Sequence, residues 1–384
     1  MTNNAEELGI IETVLKYSEA GSTHLEPDVM LSPVRHYTDP EHLKQEIEIL
    51  FRKFPVIVGH TKKIAQPGQF FTHDTTGIPI LVTRTRTGEV KAFVNVCRHR
   101  GARVVNEPCG KANTFACPYH AWTYDLDGNL RGIRQPEGFG EFDKKAHGLV
   151  ELPAYERFGL IWVRPSVAKR DIDIDAWLAP MAAQLGSLSL ENHVVFREWT
   201  IPTQMNWHIA LEGFQESYHF CAAHKDTACS AYLDNQSVFI DQYPHVRHAV
   251  PLSHITKLND QTPDTWDYRS NFMTQNYLFP CNFLQVMTDH VYVHTITPTG
   301  PDTCVFQCMM LIPEDAKSDK AKKYWDANYN VVKTVFAEDF AIGESIQQGF
   351  AAGINENFLI GRYETGLQLG RKALDDALAG RLTV

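Results

Sequence analysis

The sequence predicts an α+β protein with two domains, an all-β domain followed by a mixed one. Its 384 residues exceed the usual size of a single domain, so two separate cores are expected. From Pro55 to about Pro165, short runs rich in β-branched and aromatic residues alternate with Gly and Pro, which is typical of strands. After Pro165, helical periodicity appears between further strand-like runs.

Composition excludes several classes of partner. The chain carries 36 Lys and Arg against 46 Asp and Glu, a formal charge of −10, whereas nucleic-acid binding depends on clustered basic residues. No apolar run approaches the roughly 20 residues that span a bilayer, and the first residues lack the basic and apolar regions of a signal peptide. We therefore expect a cytoplasmic protein with no nucleic-acid or membrane partner.

The first domain is predicted over 38–165, after an N-terminal segment, 1–37, that has little periodicity and is expected to pack on the later domain. A helix over 39–51 carries Leu43, Ile47 and Leu50 at helical spacing after an Asp39 N-cap. Asp127-Gly128 lies between two strand-like runs, where glycine tolerates the positive φ of a tight hairpin turn. The strands are predicted at 56–60, 79–86, 90–96 and 160–165.

The second domain is predicted over 166–384 and combines helices with strands. The helices are expected at 174–188, 207–224, 317–350 and 370–382. Between them, 291–298 and 304–313 have the composition of strands.

The first metal-binding pattern is Cys97-x-His99, followed after seventeen residues by Cys117-x-x-His120. Thiolates suit ferric iron, and two imidazoles on the second iron raise the potential of a two-iron cluster, as in Rieske centres. A structural zinc site is the alternative, but zinc fingers usually pair Cys with Cys and His with His. The chain's eight cysteines do not form the regular pattern of a disulfide framework. Cys109, between the pairs, is expected to be a small packed residue.

The second pattern is Glu216-x-x-His219-x-x-x-x-His224. On a regular helix the two histidines would lie about 140° apart, so the helix must distort or end near 220–223 for both to face one metal. A carboxylate from elsewhere would complete the two-His-one-carboxylate set of non-haem iron oxygenases. Candidates for this carboxylate are Asp339, Glu338 and Glu344, which helical periodicity does not separate.

Further residues around and beyond both patterns carry a resemblance to a known family. They are NVCRHRGARV and CPYHAWTYDLDGNL in the first domain, and Asn206-Trp207 and Glu338-Asp339 in the second. The chain resembles the large (alpha, terminal oxygenase) subunit of Rieske non-haem iron oxygenases of the ring-hydroxylating type. The resemblance implies an all-β Rieske [2Fe-2S] domain and a catalytic domain with a central antiparallel sheet flanked by helices.

The resemblance also implies roles for single residues. Cys97 and Cys117 would bind one cluster iron, and His99 and His120 the other. The mononuclear Fe(II) would be held by His219, His224 and Asp339. Glu216 matches the acid that links an iron-binding histidine to a cluster histidine of the adjacent subunit, which is His120 here.

The chain departs from the family pattern at two places. Many relatives have Asp at position 216, and Glu is similar to the subset that oxidises quaternary ammonium compounds. Many also read Glu-Asn-Phe where this chain has Glu212-Gly213-Phe214, so no role of that Asn is carried over.

The implied function is that of a terminal oxygenase that uses O₂ to hydroxylate a small, aromatic substrate. Oxidation of a quaternary ammonium compound such as a betaine or carnitine is the alternative. Electrons would come from NAD(P)H through a separate reductase, with or without a ferredoxin, since no G-x-G-x-x-G follows a strand. A cyclic homotrimer is implied, in which the cluster of one subunit lies beside the iron of the next. The predicted cavity lining is Phe214, Tyr277, Phe283, Val286, Met287 and Tyr292.

Two hypotheses of other classes remain open at this point. One is a non-catalytic Rieske electron-transfer protein, whose second domain would bind no iron. The other is an interaction protein stabilised by zinc. An oxygenase would bind iron at His219 and His224, whereas the electron-transfer protein would not. A zinc protein would be colourless, whereas a protein with a Rieske cluster is coloured.

Overall fold

A computed structural model describes residues 5–167 and 171–384, which fall into two compact units. The β unit comprises Ile47–His193, and the mixed unit comprises Met1–Glu46 and Val194–Thr383. These boundaries differ from the predicted 37/38 and 165/166. Glu46 clusters with the mixed unit because its carboxylate accepts hydrogen bonds from His208 and Trp207. Residues after 165 cluster with the β unit through contacts such as Arg157 to Asp175 and His60 to the Leu190 carbonyl.

The strands are, in chain order, β1 (Met30–Pro33), β2 (Val56–His60), β3 (Gln69–Thr75), β4 (Ile78–Arg84), β5 (Val90–Val94), β6 (Cys109–Lys111), β7 (Thr114–Ala116), β8 (Thr123–Asp125), β9 (Leu130–Gly132), β10 (Glu151–Leu152), β11 (Ala154–Arg157), β12 (Leu160–Val163), β13 (Val194–Thr203), β14 (Val238–Gln242), β15 (His245–Pro251), β16 (Phe272–Leu278), β17 (Asn282–Val286), β18 (Val291–Gly300), β19 (Thr303–Ile312) and β20 (Asn357–Ile360). The helices are α1 (Ala5–Ala20), α2 (Arg35–Thr38), α3 (Pro40–Lys53), α4 (Ile174–Leu178), α5 (Ala182–Ser187), α6 (Trp207–Glu212), α7 (Phe220–Ala223), α8 (Tyr268–Asn271), α9 (Asp319–Gly349) and α10 (Thr365–Leu378).

Among its described residues, the β unit contains three antiparallel sheets, with orders β10-β5-β4-β3-β6, β11-β12-β2 and β7-β8-β9. The predicted hairpin is confirmed: β8 pairs with β9, and Gly128 in the turn has φ +78°. A Cβ at Gly128 would also lie 2.4 Å from the Phe93 ring. The hairpin therefore needs glycine there both for the turn and for close packing.

The mixed unit contains a seven-stranded antiparallel sheet of order β13-β19-β18-β17-β16-β15-β14. Every residue of β15, β16 and β17 is buried. These three strands are therefore covered on both faces, as expected for the part of a sheet that is packed between two layers. The predicted fold class, an all-β domain with a mixed domain that contains a central antiparallel sheet flanked by helices, is confirmed.

The helix predictions are confirmed where the apolar stripe is long and regular. The predicted helix at 39–51 is α3, and that at 317–350 is α9. Pro180 divides the predicted helix 174–188 into α4 and α5, because proline removes a backbone donor. The helix predicted at 370–382 is α10, which begins earlier, at Thr365, and ends at Leu378.

Helix α1 lies in the segment for which little periodicity was recognised. Ile10, Ile11, Val14 and Leu15 are buried and pack against the β14–β15 end of the large sheet. Their i, i+1, i+4, i+5 spacing forms one face of a helix, so the pattern was present in the sequence. Within the described residues, no helix has both the length and the apolar character needed to cross a membrane.

Candidate metal centres

The two Cys-and-His pairs of the β unit lie on loops with the same backbone hydrogen bonds. In the first, the Cys97 amide donates to the Ala102 carbonyl at 2.8 Å, and the Gly101 amide donates to the Cys97 carbonyl at 3.0 Å. In the second, the Cys117 amide donates to the Trp122 carbonyl at 2.8 Å, and the Ala121 amide donates to the Cys117 carbonyl at 2.9 Å. Each loop therefore closes between a cysteine and the residue five positions later.

The fourth residue after each cysteine has positive φ, +79° at Gly101 and +57° at Ala121. Glycine adopts this conformation readily, whereas alanine does so at a cost of about 1 kcal/mol. The histidine is the second residue after Cys97 but the third after Cys117. One loop shape thus accommodates both spacings of the motif.

The four Cys and His side chains of these loops lie close together, with the cysteines inside and the histidines nearer the surface. Cys97 and Cys117 are buried, while His99 and His120 are half-exposed. The Nδ1 atoms of the two histidines lie 3.1 Å apart, so both rings are directed at one point. Partial burial and the neighbouring His99 lower the pKa of His120, which favours the neutral ring that binds metal. This donor set, with thiols inside and imidazoles outside, fits a [2Fe-2S] cluster with mixed ligands.

Tyr124 and Trp122 support the two loops. The buried Tyr124 hydroxyl lies 3.3 Å from Cys97 Sγ and accepts a hydrogen bond from the Arg98 amide at 3.0 Å. The Trp122 ring stacks on His99 with centroids 4.8 Å apart. Cys109 lies exposed on β6, so the expectation that it is a packed residue is wrong.

The second pattern folds differently from the predicted helix 207–224. Helix α6 starts at the Asn206 cap, whose side chain accepts from the His208 amide, and ends at Glu212. After an irregular segment, one further turn, α7, follows, with His219 at its N-cap and His224 at its C-cap. The predicted distortion exists, but it precedes residues 220–223, which are themselves helical.

The third member of this site comes from α9. His224 Nε2 lies 2.9 Å from Asp339 Oδ1, and His219 Nε2 lies 3.6 Å from the same oxygen. The three side chains could hold one metal ion, since their ligand atoms all lie within 4.8 Å of one another. Two imidazoles and one carboxylate fit ferrous iron and leave coordination positions for other ligands.

Close packing brings Asp339 to this position. Gly343 lies one turn after Asp339 on α9, and a Cβ there would be 2.3 Å from Met205 Sδ and 3.2 Å from Ile209. Residues four apart share a helix face, so the same close approach carries Asp339 toward α7. A larger residue at 343 would force the side chains of Met205 and Ile209 to move.

The three acids that the sequence left as alternatives have different partners. Asp339 faces both histidines, whereas Glu338 accepts from His224 Nδ1 at 2.8 Å and from the Thr227 hydroxyl at 2.7 Å. Glu344 accepts from the Gln204 amide. The geometry therefore places Asp339 beside Nε2 of both histidines and Glu338 behind His224.

Glu216 lies behind the other histidine. It accepts hydrogen bonds from His219 Nδ1 and from the His219 amide. Burial opposes protonation of His219, but this hydrogen bond and the charges of Glu216 and Asp339 raise its pKa. The pKa of His224 is raised against burial by Asp339 and Glu338. The site thus has an excess of negative charge that a cation would balance.

A disulfide joins Cys221, in α7, to Cys229, in the short 3₁₀ turn Cys229–Ala231. It closes a loop that contains His224. This bond was not predicted from the sequence, because the eight cysteines lack the regular spacing of a disulfide framework.

A cavity of about 370 Å³ adjoins the three-residue site within the mixed unit. Its wall includes Glu216, His219 and Asp339, and its size is at the lower end of the roughly 300–1,000 Å³ of small-molecule pockets. Ile342, Ile346 and Leu359 line it and are also exposed, so they mark its opening. The other lining residues are mostly apolar, among them Ile209, Phe340, Phe358, Ile360 and Leu367.

Of the six residues predicted to line a cavity, Phe214 lines this one. Tyr277, Phe283, Val286 and Tyr292 lie buried in strands of the large sheet, and Met287 packs beside Phe220, Val250 and Met273. These five do not belong to the wall of this cavity.

Two family models match the chain. The model of the Rieske [2Fe-2S] domain matches residues 54–154, and that of the ring hydroxylating alpha subunit (catalytic domain) matches residues 190–380. The glycine betaine monooxygenase oxygenase subunit of Chromohalobacter salexigens is 36% identical over 194 residues, 50% of this chain. The match spans less than half, 43%, of that relative's length.

Two longer matches cover most of the chain. The chloroplastic choline monooxygenase of Beta vulgaris is 26% identical over 348 residues, which are 89% of this chain and 75% of the relative. The crystal structure of the quaternary ammonium Rieske monooxygenase CntA with L-carnitine is similar with a TM-score of 0.79 and 23% identity. The similarity covers 91% of this chain and 96% of that one, and at this identity it shows the fold.

Proposed function

Because the chain belongs to the Rieske oxygenases, with a Rieske [2Fe-2S] domain and a ring-hydroxylating alpha catalytic domain, we propose that it is a terminal oxygenase component. It uses O₂, and electrons from an NAD(P)H-dependent reductase, to oxidise a small organic substrate. The observation that carries this proposal is the meeting of His219, His224 and Asp339 beside a cavity of small-molecule size.

The proposal assigns two metal groups. Cys97 and Cys117 hold one iron of the cluster and His99 and His120 the other, while His219, His224 and Asp339 hold a mononuclear Fe(II). When bound, the cluster supplies electrons one at a time and the mononuclear iron supplies open positions at which O₂ is activated.

The surrounding residues orient these ligands. Glu216 and Glu338 each accept a hydrogen bond from Nδ1 of one histidine, which leaves Nε2 of both rings facing Asp339. Thr227 donates to Glu338 and fixes that carboxylate in turn. Such outer partners set the tautomer and direction of metal-binding histidines.

A cyclic homotrimer is part of the proposal. Glu216 would connect His219 to the partner subunit's His120 and so provide a path for electrons between subunits. This proposal is supported by exposed aromatic residues next to His120 and next to His219. Tyr119, beside His120, and Tyr218, between Glu216 and His219, are both about half exposed, at 55% and 53%. Aromatic side chains of this kind are enriched in protein interfaces.

We propose a quaternary ammonium compound as the substrate class. The named relatives are monooxygenases of glycine betaine and choline, and the cavity wall combines carboxylates with alkyl side chains. Hydroxylation of an arene is the second candidate, favoured by Phe214, Phe340 and Phe358 in the same wall.

Substrate-dependent O₂ uptake tests the proposal. The purified chain, with a compatible reductase and NADH, should consume O₂ and form a hydroxylated or N-dealkylated product from a quaternary ammonium compound. Product formation from naphthalene instead would select the second candidate. If neither quaternary ammonium compounds nor arenes such as naphthalene coupled NADH oxidation to O₂ consumption, the oxygenase assignment would be contradicted.

A further inference from the structure

Four carboxylates line the cavity, and three of them have partners that account for their charge. Glu212 accepts from the Tyr37 hydroxyl at 2.7 Å and from Arg371 at 2.8 Å. Glu216 accepts from the side chain and the amide of His219. Asp339 faces the two histidines of the proposed iron site. Their negative charges are thus balanced by protein groups or by the proposed metal.

Glu364 is the fourth carboxylate. It lies between β20 and α10, and one of its oxygens, Oε2, accepts from the Gly361 amide at 2.5 Å. Burial, together with the charges of Glu216 and Glu212, raises the pKa of Glu364 despite that hydrogen bond. The ionised carboxylate would therefore gain free energy from a positive charge placed in the cavity.

Arg371 is not available to bind an anionic group of a substrate, because its positive charge is paired with Glu212. Its side chain is 4% exposed and donates to both the Tyr37 hydroxyl and Glu212. Separating this buried pair to bind a substrate carboxylate would leave Glu212 without its counter-charge, which is costly in a buried site. An anionic group on a substrate would instead meet the field of Glu364.

We infer that Glu364 selects the charge of the substrate: the cavity takes a monocation in which an ammonium group carries alkyl substituents, and disfavours zwitterions that carry a carboxylate. This inference rests on the proposed function and narrows its substrate class. The alkyl groups would contact the apolar part of the wall, including Ile209, Ile346 and Leu367, while the ammonium lies within the field of Glu364.

Calorimetric binding to the anaerobic, iron-loaded holoenzyme tests the inference without turnover. Three probes separate charge from shape: choline, its uncharged carbon isostere 3,3-dimethyl-1-butanol, and glycine betaine. The wild-type protein should bind choline at least about tenfold more tightly than either of the others, as expected for a close pair of opposite charges. Glu364→Gln should abolish the difference between choline and its isostere.

Two further variants serve as controls. Glu364→Asp keeps the charge and should retain part of the preference for choline. This result would show that the loss of preference in Glu364→Gln is not a general effect of substitution on folding. Glu356→Gln removes an exposed carboxylate beside β20 and should bind all three probes as the wild type does.

Three results would overturn the inference: an unchanged preference in Glu364→Gln, an isostere that binds as tightly as choline, or no binding of any probe. The iron content and reductase-coupled O₂ uptake of the same preparation test the proposed function separately. A protein that holds iron and oxidises another substrate, but does not discriminate these probes, would retain the proposed function and lose only the charge selection.

Discussion

The two candidate metal centres are assembled over very different distances along the chain. In the β unit, all four predicted cluster ligands lie between positions 97 and 120, on loops that each close within six residues. In the mixed unit, His219 and His224 meet Asp339 from 115 or more residues away. The first centre depends on local backbone hydrogen bonds, whereas the second depends on the packing of α9 against α6 and α7.

The largest expected effect concerns Asp339, the proposed iron ligand that the packing of α9 brings beside the two histidines. Asp339→Ala should remove the mononuclear iron and abolish product formation, while the spectrum of the cluster stays unchanged. Glu338→Gln should keep the iron but weaken its binding by about 10–100-fold, because a partner of His224 is lost. Metal analysis after graded chelation measures both.

Glu344→Gln is the matched control for this pair, since Glu344 contacts the Gln204 amide instead of a histidine. It should retain full iron content. If Glu338→Gln lost the iron and Asp339→Ala kept it, the assignment of the two acids would be reversed.

The next effect concerns how each centre's loop is closed. The loop that contains His224 is closed by the Cys221–Cys229 disulfide, whereas the cluster loops are closed by backbone hydrogen bonds. A disulfide across so short a loop contributes about 2.5 kcal/mol by the chain-entropy estimate. The double variant Cys221→Ser, Cys229→Ser should lose roughly this amount of unfolding free energy in urea and release iron faster.

Cys109→Ser controls for this variant because Cys109 is an exposed, free thiol. It should leave both stability and iron release unchanged. Equal stability of the double variant and the wild type, in the absence of reductant, would show that the disulfide does not constrain the loop.

The pH dependence of the unfolding free energy should also differ between the two units, because each contains a buried histidine with a different pKa. Burial lowers the pKa of His294 in the mixed unit to about 3 and that of His60 in the β unit to about 4. Since the unfolded chain binds these protons near pH 6.5, stability present above that pH is lost as pH falls toward each folded pKa.

Replacing His294 with Gln should therefore flatten the pH dependence of the unfolding free energy by about 1.4 kcal/mol per pH unit between about pH 6 and pH 4. His60→Gln should do the same, but its effect should end near pH 4. Urea unfolding at a series of pH values gives the slopes. A slope that His294→Gln leaves unaltered would contradict the neutral, buried state of this histidine.

The smallest effect concerns the electronic environment of the cluster. Tyr124→Phe removes the hydroxyl near Cys97 Sγ and should lower the cluster's reduction potential by an amount on the order of tens of millivolts, because hydrogen bonds to sulfur stabilise the reduced state. A redox titration followed by absorbance measures the shift. A potential that stays the same or rises would argue against a hydrogen bond to this sulfur.

The sequence predicted those features whose determinants are close together in the chain. The strands around the cluster loops and the Gly128 hairpin follow from local composition and turn chemistry. Helix α9 was predicted from its length and periodicity. However, periodicity does not show which face of α9 meets α6, so Asp339 could not be separated from Glu338 and Glu344. Gly343, one turn later, was the available indication of close packing.

Five of the six residues predicted to line a cavity lie outside the wall of the one described above, for a related reason. Tyr277, Phe283 and Tyr292 lie on strands that are buried on both faces, so alternation along the strand does not tell which side faces a cavity. The cavity wall comes instead from α6 and, far later in the sequence, from α9 and the segment around β20 and α10. Glu364 belongs to that wall, and no local motif in the sequence marked it.

The most direct test of two metal groups in one chain is the iron content and reduced electron paramagnetic resonance of anaerobically purified protein, wild type and His219→Ala. We expect a brown protein with a Rieske signal and about three irons per chain, falling to about two in the variant with the signal unchanged. A colourless protein that contains zinc would contradict the cluster. About two irons in both forms would contradict the mononuclear site and leave the chain an electron carrier.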